Sequence, residues 1–198
     1  MGTREGVGAV LLIAVPALAL AQAKPSFDCS QKLTSSVEQR ICRDPRLAEL
    51  DRQLADVYAA AQARATEADK HSLTDSQRGW VKGRNDCWKG ADVPPCVAAA
   101  YRDRISELQV RYGLIPAVGT GRYLCTGPPT QELTAEFFET DPPTAMIQFS
   151  GATQFMRVAQ SGSGARYSGG NRQFWEHQGV ATLRWNASGK ELSCPMRK

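Results

Sequence analysis

Ser161–Trp185 reads SGSGARYSGGNRQFWEHQGVATLRW, and this stretch decides the fold. Gly162, Gly164, Gly169-Gly170 and Gln178-Gly179 punctuate short runs at 165–168, 172–177 and 180–185. The runs are too short for helices and rich in residues that suit a pleated, half-buried surface. The same rhythm extends in both directions. Further runs lie at 122–126, 132–139, 144–149, 153–159 and 190–194. Gly127-Pro128-Pro129, Asp141-Pro142-Pro143, Gly151 and Ser188-Gly189 separate them. Eight short strands within residues 122–194 predict an antiparallel barrel or sandwich, and closure would hide the sheet edges.

Upstream the period changes. Ser35 with Glu38 spells a capping box ahead of Val37 and Ile41, and Asp44-Pro45 spells an N-cap followed by proline at the first helical position. Leu47, Leu50, Leu54, Val57, Tyr58 and Ala61 then recur at helical spacing. Thr74 with Gln77 spells a second capping box before Trp80, Arg84 and Trp88. After a loop around Pro94-Pro95, Val97, Tyr101, Ile105, Leu108 and Tyr112 form another apolar stripe, with Gly113 placed to end it. Trp80 and Trp88 are expected in the helical core. Residues 113–121, GLIPAVGTG, read as a linker. The expected class is α+β in two domains: a helical domain at 24–112 and a β-barrel domain at 122–198.

Residues 1–23 differ in kind. Arg4 precedes the apolar run Val7–Leu20, and Ala21-Gln22-Ala23 has the small-x-small pattern of a signal-peptidase site. The run contains Pro16 and falls short of the roughly 20 residues that span a bilayer. No cysteine follows Ala23 directly, and Cys29 is too far downstream for lipoprotein modification. The expectation is a signal peptide, cleavage near Ala23, and a periplasmic or secreted soluble chain with no stable membrane anchor.

The six cysteines are Cys29, Cys42, Cys87, Cys96, Cys125 and Cys194. None forms Cys-x-x-Cys, and the two histidines, His71 and His177, lie far apart, so zinc and thioredoxin-like chemistry have little support. An even count in an exported chain suggests disulfides. Of the possible connectivities, the domain boundaries favour Cys29–Cys42, Cys87–Cys96 and Cys125–Cys194.

Hydrophobic residues make up 42% and charged residues 22%, which excludes a disordered polymer and a membrane bundle. The net charge of +4 is spread evenly, without a basic run, so a nucleic-acid partner is not expected. No metal and no cofactor are expected. Ser161–Gly170 lacks the Lys-Ser/Thr ending and following helix of a phosphate loop. A Ser163–His177–Glu176 hydrolase lacks a nucleophile elbow, and adjacent Glu176 and His177 would point to opposite faces of a strand. The chain is therefore not expected to be an enzyme. Asn186-Ala187-Ser188 spells a glycosylation sequon.

SGSGARY at 161–167, FWEHQG at 174–179 and VATLRW at 180–185 resemble the family of membrane-bound lysozyme inhibitors of c-type lysozyme, MliC. Its signature is a Ser-x-Ser-Gly-Ala-Arg-Tyr loop followed by Phe-Trp-x-Lys-Gly. Cys125 and Cys194 match its flanking cysteines and are expected to pair. The resemblance covers residues 120–197. It implies a small eight-stranded barrel that pushes a loop into the lysozyme cleft. Carried over, the loop Ser161, Gly162, Ser163 and Gly164 meets the enzyme, with Ser163 near the catalytic carboxylates. The family's lysine falls at His177, and Gln178 is inserted before Gly179. Arg166 and Tyr167 match the signature and are expected to brace the loop.

Residues 26–112 resemble the LprI-type lysozyme inhibitors, through FDCS at 27–30, VEQRICRDPRLAELDRQLADVYAAA at 37–61, QRGWVKGRNDCW at 77–88 and CVAAAYRDRISEL at 96–108. Together the resemblances imply an exported protein inhibitor whose partner is c-type lysozyme. The alternative is a cell-envelope module that binds peptidoglycan or a periplasmic protein without inhibiting.

Overall fold

The computed structural model describes residues 24–127, 129–186 and 189–197. The signal peptide read at 1–23 and part of the sequon at 186–188 lie outside the described residues. Helices come first and strands after, as expected.

Helix α1 spans Ser36–Arg43, and the Ser35 side chain accepts from the Val37 N–H at 3.1 Å. Glu38, expected to reach back to Ser35, instead lies 3.7 Å from Arg84. Helix α2, Pro45–Arg64, is capped by Asp44 with proline in its first turn. Helix α3 runs Glu67–Asn85 from a Thr66 cap. Thr74 and Gln77 therefore do not open a helix. Thr74 donates to the Lys70 carbonyl one turn back, and Gln77 accepts from Arg104. The first turns of α3, EADKHS, are so polar that no apolar stripe announces them. A short 3-10 turn, Asp86–Lys89, leads into α4, Val93–Arg111. Pro94-Pro95 thus occupies the first turn of α4, where the missing N–H groups cost nothing. Gly113, at φ +60°, ends α4: its N–H donates to Val110 O and that of Leu114 to Gln109 O.

Val37, Ile41, Leu47, Leu54, Leu73, Val97, Tyr101 and Leu108 form the helical core. Within it lies a satisfied polar network. Tyr101 donates to Asp51 at 2.7 Å and accepts from Arg84 at 2.7 Å, while Asp51 also accepts from the Ser26 N–H and hydroxyl at 2.6 Å. Burial pushes the Tyr101 phenol far above the usual tyrosine range. Trp80 packs edge-on against Tyr101 at 5.2 Å. Trp88 does not join the core; it is 59% exposed in the 3-10 turn, where the helical period breaks.

The barrel strands are β1 Gly119–Cys125, β2 Gln131–Phe138, β3 Thr144–Phe149, β4 Ala152–Val158, β5 Ala165–Gly169, β6 Arg172–His177, β7 Val180–Arg184 and β8 Leu192–Pro195. Each pairs antiparallel with its sequence neighbours in one eight-stranded sheet. β1 begins inside the stretch read as a linker, because Val118 already donates to Phe137 O. The sheet curls until its ends meet: Tyr123 bridges Met196, Thr126 N–H donates to Ser193 O, and Arg197 N–H donates to Arg122 O. Alternate side chains turn inward, among them Tyr123, Leu133, Ile147, Met156, Phe174 and Leu183. Each large apolar side chain so buried contributes about 1.5–3 kcal/mol. The disulfides are Cys29–Cys42, Cys87–Cys96 and Cys125–Cys194, the last joining β1 to β8.

Helices and barrel share a third apolar cluster. Val110 of α4 packs with Phe138 and Phe155, flanked by Ile115 and Met146. Arg111 and Arg157 place their guanidinium groups 5.7 and 5.2 Å from the Phe155 ring centre. Asp103 lies 3.1 Å from Arg157, and Ser106 donates to Asp141 O at 3.0 Å.

Candidate functional site

In an up-and-down meander every second connection falls at the same end. The β2–β3 loop, the β4–β5 loop and the β6–β7 turn therefore share one rim, and the Ser106–Asp141 bond brings α4 to it. The β4–β5 loop carries Ser161–Gly164. The β4–β5 ladder beside it is short: only Arg157↔Ser168 and Val158↔Tyr167 are in register, with Ala159 N–H donating to Arg166 O.

Gly162, Ser163 and Gly164 are exposed, and Ser161 is half-buried. The Ser161 hydroxyl donates to the Ser163 carbonyl and accepts from the Ser163 N–H at 3.4 Å. The Trp175 indole N–H donates to the same carbonyl at 2.9 Å. The backbone of Ser163 is thus held from two sides, while its own hydroxyl is exposed and makes no hydrogen bond among the described residues. Gly164 has φ +66°, and a Cβ there would run into the Glu176 carbonyl oxygen. Only glycine lets the loop approach β6 so closely.

His177 ends β6 on the other side of this contact. Its Cβ is among the three nearest atoms to the empty space at Gly164, and its ring stacks on Trp175 with centroids 6.0 Å apart and 19° between planes. Gln178 at φ +53° and Gly179 at φ +79° form the two-residue turn to Val180, a geometry that matches strand twist. The Glu176 carboxylate faces this turn and accepts from the Gly179 N–H at 2.8 Å. A nucleophile–base–acid relay through Glu176 therefore has no support in the geometry.

Arg166 lies 5.6 Å from the Trp175 ring centre, so Arg166, Trp175 and His177 form one outward-facing cluster beside the loop. Tyr167 turns the other way, into the barrel core against Phe137 and Phe174. Burial raises its phenol above the usual range. Sequence reasoning did not single out Trp175, although the FW pair following the loop carried the signal. Among the described residues no three His, Cys, Asp or Glu side chains converge as metal ligands, and no helix is long and apolar enough to cross a membrane.

Two family models match the chain. One, described as membrane-bound lysozyme-inhibitor of c-type lysozyme, matches residues 123–192, and the other, described as lysozyme inhibitor LprI, matches residues 29–109. The chain is 35% identical over 166 residues to lipoprotein LprI of Mycobacterium bovis, covering 82% of this chain and 81% of that protein. Lipoprotein LprI of Mycobacterium tuberculosis matches with the same identity and coverage. No solved structure matches at a significant level.

Proposed function

This chain belongs to the LprI family of lysozyme inhibitors and carries a domain of the membrane-bound c-type lysozyme inhibitor family behind its helices, and from that premise we propose that it inhibits c-type lysozyme by inserting Ser161–Gly164 into the active-site cleft. One observation carries the reading: Ser163 presents a free hydroxyl on a glycine-flanked tip whose backbone is tethered by Ser161 and Trp175.

A lysozyme cleft holds two carboxylates about the scissile bond. A small hydroxyl on a narrow loop can donate to them, and a cation beside it adds a charge-assisted bond. His177 stands in that second position. A tethered loop has already lost much of the freedom that binding would otherwise cost. No bond is made or broken, so the chain acts as an inhibitor and not as an enzyme.

We assign the inhibition to the barrel domain, 122–198 together with Gly119–Gly121 of β1. The helical domain is 24–112, and 113–118 joins the two. We assign the mature chain to the periplasm or exterior after cleavage near Ala23. The relatives are named lipoproteins, but here the first cysteine, Cys29, is tied to Cys42. Its sulfur is not available for a lipid, which supports a soluble chain.

The test is titration of the chain from Lys24 onward against a c-type lysozyme, with Ser163→Leu and His177→Lys variants. Ser163→Leu should abolish inhibition by blocking the tip. Lysine keeps its charge throughout the neutral range, whereas an imidazole is cationic mainly on the acid side. His177→Lys should therefore inhibit at least as well as the parent at neutral pH. Full inhibition by Ser163→Leu would refute loop insertion. Peptidoglycan binding without inhibition would establish the alternative envelope-binding role.

A further inference from the structure

The helical domain carries a charged face that inhibition does not use. A groove of about 660 Å³ is lined by Gln39, Arg40, Arg43 and Arg46 around the end of α1 and the start of α2. It shares Gln39 and Arg43 with a second groove of about 480 Å³, which Lys32 lines beside the Cys29–Cys42 disulfide. That disulfide also borders a third groove, lined by Lys24, Phe27 and Asp28. Lys24, Lys32, Arg40, Arg43 and Arg46 so form a continuous exposed run; Lys32, Arg40 and Arg43 have no ion-pair partner among the described residues.

Three acids lie nearby, and the five cations outnumber them. Asp28 accepts from the Ser30 hydroxyl and N–H, which hold its carboxyl below the usual range. Asp44 caps α2 through the Arg46 N–H, and the Arg46 side chain reaches within 3.6 Å of it. Glu38 lies against buried Arg84. Arg40 and Arg43 complement the end of the α1 dipole, but Lys24, Lys32 and Arg46 do not, so helix stabilisation leaves most of the run unexplained.

The position of this face in the chain decides what meets it. The N-terminal segment enters the fold here, at Lys24–Cys29, and the apolar run Val7–Leu20 ends four residues earlier. Four residues span at most about 14 Å. Until cleavage near Ala23, a chain still threaded through the membrane by that run presents the basic face to the lipid headgroups at a distance comparable with the Debye length of about 8–10 Å.

We propose that Lys24, Lys32, Arg40, Arg43 and Arg46 form a docking surface for an anionic lipid bilayer. It gives the chain a reversible hold on the membrane that no covalent lipid at Cys29 supplies. The proposal is independent of how the β4–β5 loop acts.

The test is co-sedimentation of the chain from Lys24 onward with phosphatidylcholine vesicles, with and without phosphatidylglycerol, at low and high salt. The expected result is binding that needs phosphatidylglycerol and disappears at high salt. Each cation near such a surface is worth roughly a fivefold change in partition, so Arg40→Gln, Arg43→Gln and Arg46→Gln together should weaken binding on the order of a hundredfold. Arg78→Gln, Arg184→Gln and Lys190→Gln together remove the same charge from other faces and should retain most of the binding. Equal loss in both triple variants would show a net-charge effect and overturn the site. Failure to bind phosphatidylglycerol vesicles would also overturn it, as would capture by a soluble anionic polysaccharide alone.

Discussion

Trp175 donates its indole N–H to the Ser163 carbonyl at 2.9 Å, so the tip of the β4–β5 loop is held by a strand that follows it in sequence. Trp175→Phe keeps the ring that His177 stacks on and deletes the bond. A net hydrogen bond is worth about 1 kcal/mol. Inhibition should weaken about fivefold with the melting temperature essentially unchanged. Inhibition constants and thermal melts on the same preparations check this; unaltered inhibition would mean that the tether does not position the tip.

Two glycines in the same loop should behave differently. Gly164→Ala combines a left-handed φ with a backbone clash at Glu176, which should cost about 1–3 kcal/mol and displace the tip. Gly162 has open space around it, and Gly162→Ala should stay within about 0.5 kcal/mol of the parent. Denaturant midpoints compare the two. Equal stability would contradict the packing of Gly164 on β6.

The junction between α4 and the barrel makes a third case. Val110→Asp sets a charge among Phe138 and Phe155, and one calorimetric transition should split into two as the halves uncouple. The bonds that shape the loop all lie within the barrel, so residues 116–198 should retain most of the inhibition. That fragment bares Phe155 and Met146, and Phe155→Ser should suppress its self-association in sedimentation experiments.

Alkaline unfolding tests the barrel core. Burial pushes the Tyr123 phenol up to about 12, with the charge of Glu176 adding to the effect. An unfolded tyrosine titrates near about 10. The stability this group contributes is complete below about pH 10 and is lost as pH rises through about 12. The barrel should therefore unfold steeply across that window, and Tyr123→Phe should flatten the slope. Circular dichroism recorded with tyrosinate absorbance measures both; an unchanged slope in the variant would assign the effect elsewhere.

The barrel was largely legible because its strands pair only with their sequence neighbours, so turn residues such as Gly151, Gly169-Gly170 and Gln178-Gly179 nearly sufficed to mark them. The helical half was less so. The capping spelling at Thr74 and Gln77 fell inside α3, since side chains able to cap a helix can also bond back to the preceding turn or across to Arg104. Trp88 satisfied a helical stripe that the chain abandons at Asp86. The junction left only a faint trace: Met146 and Phe155 are outward positions that carry apolar side chains for α4 to cover. The loop tip was readable from its glycines, but the Trp175 tether was not, since a bond from a side chain to a distant carbonyl has no period.

The six cysteines join strictly in order of synthesis, each with the next, at separations of 13, 9 and 69 residues. A chain threaded out of the cell N-terminus first delivers Cys29 and Cys42 before Cys87 exists outside, and both helical pairs before Cys125. An oxidant that joins thiols as they arrive then selects the native set from the fifteen that six cysteines allow, with no bond to reshuffle. Only Cys125 must wait, reduced, for the whole meander to follow it. Oxidation of the last pair is thus a timer: it seals the cylinder after all eight strands have been delivered, and any delay in export shows itself as one free thiol pair and two finished bridges.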